Sequence, residues 1–98
     1  MAVTLEQQGD GRFAVQGELN LVTVGALWKK SRRLFQRQPP SWIDLAGVGH
    51  CDSAGVALLV EWLCQARTDG RDLRFVNLTP QMLAIIKVTD LDTLLPLA

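Results

Sequence analysis

The 98-residue chain has no tyrosine, one histidine and two cysteines, and its ten Lys and Arg balance ten Asp and Glu. Each scarcity excludes something. The single histidine, His50, and two separated cysteines, Cys51 and Cys64, give no metal-ligand spacing and no CxxC pair. Two thiols so placed read as reduced side chains of a cytosolic protein, not as a disulfide framework. Zero net charge provides no global attraction to nucleic acid or anionic lipid. The longest apolar run, Ala54–Val60, stops at Glu61, far short of the ~20 residues a membrane span needs. The opening MAVTLEQQ has no basic region leading into an apolar one, so no signal peptide is expected. Neither GxxxxGKS/T nor GxGxxG occurs, which leaves no recognisable phosphate cradle. The expectation is a single domain over 1–98 with no metal and no cofactor.

What is present is a regular succession of strand and helix signals. Val3, Leu5 and Gln7 alternate with polar residues, as do Phe13 and Val15, and Gly9-Asp10-Gly11 separates the two runs. This predicts an antiparallel hairpin of Ala2–Gln8 and Arg12–Glu18. Asn20 and Thr23 are both N-cap candidates for a first helix, whose apolar face is Val24, Leu27, Trp28, Leu34 and Phe35. Pro39-Pro40 forbids its continuation. WIDLAGV suggests a central strand at Ser41–Leu45, followed by a loop over Ala46–Cys51. A second helix is expected from Asp52 or Ser53 to about Thr68, with Gly70 in its C-terminal cap region. DLRFVN reads as a fourth strand, and Thr79-Pro80 opens a third helix with a cap and a proline at the first helical position. A short last helix is expected over Thr89–Leu95. Strands joined through helices should be parallel with right-handed crossovers. The fold class is therefore α/β, with a mixed four-stranded sheet whose first strand is antiparallel, and three to four packed helices.

Enzymatic readings find little support. Ser53, in CDSAG, resembles a nucleophile over four letters only, and its nearest histidine is His50, three residues earlier. A nucleophilic serine needs a positioned base and an orienting acid. His50 and Cys51 are adjacent, and neighbours in an extended chain point to opposite sides. Asp44 reads as an acid that hydrogen-bonds the following loop. Lys29, Lys30, Arg32, Arg33 and Arg37 place half of all basic residues on one short segment. That segment reads as a solvated helix face, with an acidic partner or lipid headgroups as the functional alternative.

The second helix is unusual in its lack of charge: between Ala54 and Ala66 only Glu61 is charged. Val56, Leu59, Val60 and Leu63 suit a sheet, whereas Ala54, Leu58 and Trp62 form a second apolar stripe displaced around the helix. A surface helix should carry a polar back. The second stripe therefore needs a cover, and composition leaves the last helix and a partner protein equally open. At the helix start either Asp52 or Ser53 can be the cap. If Asp52 caps, the Ser53 hydroxyl faces solvent at the edge of an apolar surface. A phosphate there would add roughly −2 charge beside that surface.

FAVQGELN, WIDLAGVGHCDSAGVALL and GRDLRFVNLTPQM together resemble the STAS domain family, the fold of the anti-sigma factor antagonists, over nearly the whole chain. Within it the chain looks most like the MlaB branch, the STAS subunits of Mla-type ABC phospholipid transporters. The compact length, LW in the first helix and DSAGVALLVEWL carry that likeness. The resemblance implies a non-catalytic cytoplasmic subunit, held at the inner membrane by its partner, an MlaF-like ABC ATPase subunit. It implies a docking surface at Asp52, Ser53, Ala54, Gly55, Leu58 and Trp62. The alternative it implies is an anti-sigma factor antagonist switched by phosphorylation of Ser53. A weaker third is a nucleotide- or lipid-binding STAS module.

Overall fold

The computed structural model describes residues 3–91. The chain runs β1 (Thr4–Gly9), β2 (Arg12–Leu19), α1 (Val24–Arg37), β3 (Trp42–Cys51), α2 (Ser53–Thr68), β4 (Arg74–Val76) and α3 (Pro80–Val88). The four strands form one sheet in the order β1-β2-β3-β4. β1 is antiparallel to β2, while β2, β3 and β4 run parallel. The expected mixed sheet is thus present, with three helices among the described residues. The short helix expected over Thr89–Leu95 lies mostly outside them, and Thr89 itself closes α3.

The register sorts the sheet into two unequal faces. Leu5 pairs with Val15, Phe13 with Ile43, and Ile43 with Phe75, and all five are buried. The helices cover this face. On the other face Glu6, Arg12, Gln16 and Arg74 are exposed. Trp42 lies there too, with the Arg12 guanidinium 4.4 Å from its ring centroid. One covered and one solvated face is the alternation an antiparallel or mixed sheet commonly shows.

Local chemistry ends each helix. Asn20 Oδ1 accepts from the backbone N–H of Val22 and Thr23, while Thr23 Oγ1 accepts from the Asn20 N–H and donates to the Glu18 carbonyl. Both cap candidates are used, to bend the chain from β2 into α1 rather than to cap in the usual way. Thr79 caps α3 by accepting from the Met82 N–H at 3.2 Å. Gly70, at φ +68, follows α2. Its N–H bonds the Arg67 carbonyl and the Arg71 N–H bonds the Ala66 carbonyl, which satisfies the last turn by a Schellman motif.

Two expectations are corrected. β3 does not stop at Leu45. It continues through Cys51, taking in the stretch expected as a loop. Ala46, Gly47 and Gly49 have low strand propensity, but β2 pairs with Gly47, Val48 and Cys51, and Val48 and Cys51 turn inward. The two strands match from Arg12↔Trp42 to Leu19↔Cys51, with two irregularities absorbing the extra residues of β3. At Gly47 a side chain would meet Gln16 Cγ at 2.6 Å and the Val15 carbonyl at 3.1 Å. The glycine that looked like a loop residue is a point of close strand approach.

The second correction concerns the cover over α2. Trp62, part of the stripe expected to need the last helix or a partner, is covered by α1. Trp62 is 2% exposed. Its indole N–H donates to Ser31 Oγ of α1 at 2.8 Å, and Ser31 in turn donates to the Trp28 carbonyl at 2.8 Å. Phe35 of α1 meets Trp62 edge-on at 5.9 Å and Phe13 of β2 at 4.9 Å. Flanked by α1 on one side and α3 on the other, α2 is apolar around most of its girth because it is the central helix of the layer.

Ser31→Ala leaves the buried Trp62 N–H without its acceptor. The expected loss is about 1–3 kcal/mol of unfolding free energy, read as a lower urea midpoint at unchanged m-value. Lys30→Ala, one residue away on the exposed side of α1, should leave the midpoint unchanged within error.

Candidate functional site

The end of β2, the end of β3 and the start of α2 meet at one corner of the domain. The Asp52 N–H donates to the Leu19 carbonyl at 3.1 Å, tying the β3–α2 junction to β2. Asp52 has extended backbone angles, and its Oδ1 accepts from Ala54 N at 2.9 Å and Gly55 N at 3.3 Å. Asp52 is therefore the cap, and Ser53 is the first helical residue. Ser53 is exposed, and its hydroxyl has no hydrogen-bond partner among the described residues.

Gly55 is buried. A Cβ there would lie 2.5 Å from Cys51 Sγ, 2.7 Å from Leu19 Cβ and 3.1 Å from the Leu19 carbonyl. Only glycine lets the first turn of α2 sit down on the ends of β2 and β3. Ala54 is half-buried. Leu58 is 4% exposed, yet it forms part of the floor of a shallow groove of about 300 Å³ between the N-terminal halves of α1 and α2. Val24, Gly25, Trp28, Ala54, Ala57 and Glu61 complete the lining. Immediately before Val24, Leu21 and Val22 are 82% and 89% exposed, the two most exposed large apolar residues of that corner.

The six residues implied as a docking surface thus divide. Asp52, Ser53 and Ala54 sit together at the surface, and Leu58 presents one side to the groove. Gly55 belongs to the packing of the helix start, and Trp62 belongs to the core beneath α1, so neither is a surface contact. Leu21, Val22, Gly25 and Ala57 were not singled out from the sequence, and Trp28 was read only as part of the apolar face of the first helix. The available signals were an apolar pair inside a connection and a glycine in the first turn of a helix.

The chemistry of this corner is quiet. Cys51 is buried. Its N–H donates to Gln81 Oε1 of α3 at 2.9 Å and its thiol donates to the Asp52 carbonyl at 3.3 Å. Burial, and then the negative charge of Asp52, push its thiol up to about 11, against a smaller lowering by the Val56 backbone. His50 is exposed, and no hydrogen bond joins it to Ser53. Asp44 accepts from the Ala46 N–H at 2.9 Å and from Asn77 Nδ2 at 3.0 Å, and so serves the backbone around β3 and β4. Among the described residues no group of three His, Cys, Asp or Glu is placed to hold a metal ion. None of their helices is long and apolar enough to cross a membrane.

A family model described as "Mlab, STAS domain" matches residues 3–96. Solved structures with the same fold include the anti-sigma factor antagonist SpoIIAA in its unphosphorylated form. It is 18% identical, covering 99% of this chain and 88% of that one, with a TM-score of 0.74. An anti-sigma factor antagonist from Mycobacterium paratuberculosis is 26% identical, covering 98% of this chain and 83% of that one, with a TM-score of 0.73. The Bacillus cell fate determinant SpoIIAA in its phosphorylated form is 19% identical, covering 99% and 91%, with a TM-score of 0.70.

The two cysteines should differ sharply towards a thiolate-selective reagent. At pH 8 Cys64, which is exposed, should be alkylated quickly, whereas Cys51 should react only on unfolding, as intact mass will show. The folded state holds the Cys51 proton more tightly than the unfolded state. Its contribution to stability is therefore full below about pH 9 and is lost as the pH rises towards about 11.

Proposed function

The chain belongs to the STAS domain family, and we propose that it is a non-catalytic subunit that binds and supports the ATPase subunit of an Mla-type ABC phospholipid transporter, the kind that maintains outer-membrane lipid asymmetry. The MlaB description of the matching family model supports this reading. The observation that carries it is the groove beside Ser53. It is apolar, lies between two helix starts, and is flanked by a small hydroxyl that no other described residue uses. An apolar helix or loop of the ATPase subunit would fill it, with Leu21 and Val22 adding contact area at its edge. The subunit then sits on the cytoplasmic side of the inner membrane through its partner. Its contribution is positional: a rigid, internally satisfied corner that braces the ATPase.

A second reading is favoured by one observation, the free and exposed Ser53 hydroxyl at the N-terminus of α2. In an anti-sigma factor antagonist this hydroxyl would be phosphorylated. The phosphate would meet the positive end of the helix but also the Asp52 carboxylate and the apolar groove. Intact-mass measurement on protein from its native cells distinguishes the two. The transporter reading expects unmodified protein under all growth conditions, and a phosphoform abolished by Ser53→Ala supports the switch.

The docking reading is tested by co-purification with the ATPase subunit. Ser53→Arg and Ala57→Glu alter exposed positions of the site and should leave the melting temperature nearly unchanged. Each is expected to weaken association at least about tenfold, equivalent to about 1.4 kcal/mol. Lys29→Ala, outside the groove, should bind normally. Wild-type association by both α2 variants would sink the reading.

A further inference from the structure

We infer that the outer face of α1 is an electrostatic contact for the anionic headgroups of a phospholipid membrane. This inference does not depend on which partner occupies the Ser53 groove. Lys29, Lys30, Arg32, Arg33 and Arg37 are all exposed, on a helix that contains no acidic residue. None of the five has an ion-pair partner among the described residues. Arg32 alone is engaged, its guanidinium 5.8 Å from the Trp28 ring centroid. With α1 removed from the account, five basic residues face ten acidic ones in the rest of the chain. The zero net charge therefore hides a strong asymmetry: one helix is positive and everything else is negative on balance. Near a negative surface such a molecule turns that helix towards it.

The shape of the patch favours a membrane over an acidic protein. Leu27 and the hydroxyl-bearing Ser31 face the core, and the basic residues with Gln36 spread over the opposite side of the helix. Within that exposed arc the one apolar side chain is the small Ala26, and the half-buried Trp28 and Leu34 lie at its edges. A specific protein contact is anchored by a desolvated centre, which this surface lacks. Long cationic side chains on a convex helix instead suit a diffuse sheet of negative charge, adsorbing without inserting. The patch is also placed for use alongside the groove. Val24 and Gly25, which line the groove, open α1, whereas the basic residues follow from Lys29 to the helix end at Arg37. From Val24 to Arg37 the helix rises by roughly 20 Å.

The test is sedimentation of the purified full chain with vesicles. Vesicles of equal parts phosphatidylglycerol and phosphatidylcholine should retain it at low salt at least about tenfold better than pure phosphatidylcholine vesicles. Retention should disappear as added salt shortens the screening length from ~10 Å at 0.1 M towards ~3 Å at 1 M. Each basic residue near such a surface contributes roughly fivefold. Lys29→Glu combined with Arg33→Glu is therefore expected to lose retention by more than about tenfold. Lys87→Glu, the same charge change on α3, should retain it within about twofold. Circular dichroism of the double variant checks its fold, and the two single variants carry the test if it melts early. No retention on anionic vesicles would overturn the inference. So would equal retention by the α1 and α3 variants, or binding to polyglutamate with none to vesicles, which would mean an acidic protein partner instead.

Discussion

The hydrogen bond from Trp62 to Ser31 is the constraint around which the rest of the domain is arranged. An indole N–H buried without an acceptor costs about 1–3 kcal/mol, so the largest side chain of α2 can enter the core only where a hydroxyl awaits it. Ser31 supplies that hydroxyl from α1 and discharges its own proton on the Trp28 carbonyl. The bond fixes the facing turns of the two helices. Phe35 then wedges between Trp62 and Phe13, linking α2 through α1 to β2. Helix, helix and sheet are locked by a polar contact inside an apolar layer, where a low dielectric makes a satisfied bond strong and an unsatisfied one costly.

That lock determines what the corner at Ser53 can present. With α2 held along its middle by Trp62, its start is pressed onto β2 and β3 by the Asp52–Leu19 backbone bond and the absent side chain of Gly55. The duties of two adjacent polar residues separate as a result. Asp52 is spent on the backbone N–H groups of Ala54 and Gly55, and Ser53 is left over. A hydroxyl that is neither buried nor used costs nothing in the free domain. It is available to whatever approaches the apolar groove beside it.

Much of this was legible in the sequence because it rests on local chemistry. The Gly9-Asp10-Gly11 turn, the Thr79-Pro80 helix start and the mixed sheet follow from residues close together in the chain, which also narrowed the cap of α2 to Asp52 or Ser53. The second half of β3 was not legible, because Ala46, Gly47 and Gly49 oppose a strand locally, and the pairing of Gly47, Val48 and Cys51 with β2 holds the segment in one. Nor was the burial of Trp62. Its cover depends on a serine in the middle of an otherwise basic run, and a polar residue among cations reads as solvent-facing. The stripe Ala54, Leu58, Trp62 was seen as needing a cover, and that need was real. What could not be read was that most of it is met inside the domain, leaving only the groove around Ala54, Ala57 and Leu58 open.

The topology explains why the apolar groove and the cationic face do not interfere. Each of the parallel strands β2, β3 and β4 leads into a helix that returns antiparallel to it. The three helix starts therefore gather at one end of the sheet and the three helix ends at the other. Arg37, Arg67 and Lys87 occupy the last turns of α1, α2 and α3, where positive charge complements the helix dipole. Arg12 and Arg74 open β2 and β4 at that same end. At the opposite end none of the three helices has an acid in its first turn, and Asp52 alone supplies a capping carboxylate. Acids there would have stabilised the helices further. Their absence leaves Glu61 as the one charged residue among those lining the groove, and a surface with little charge is the one that loses least when an apolar partner strips its water away.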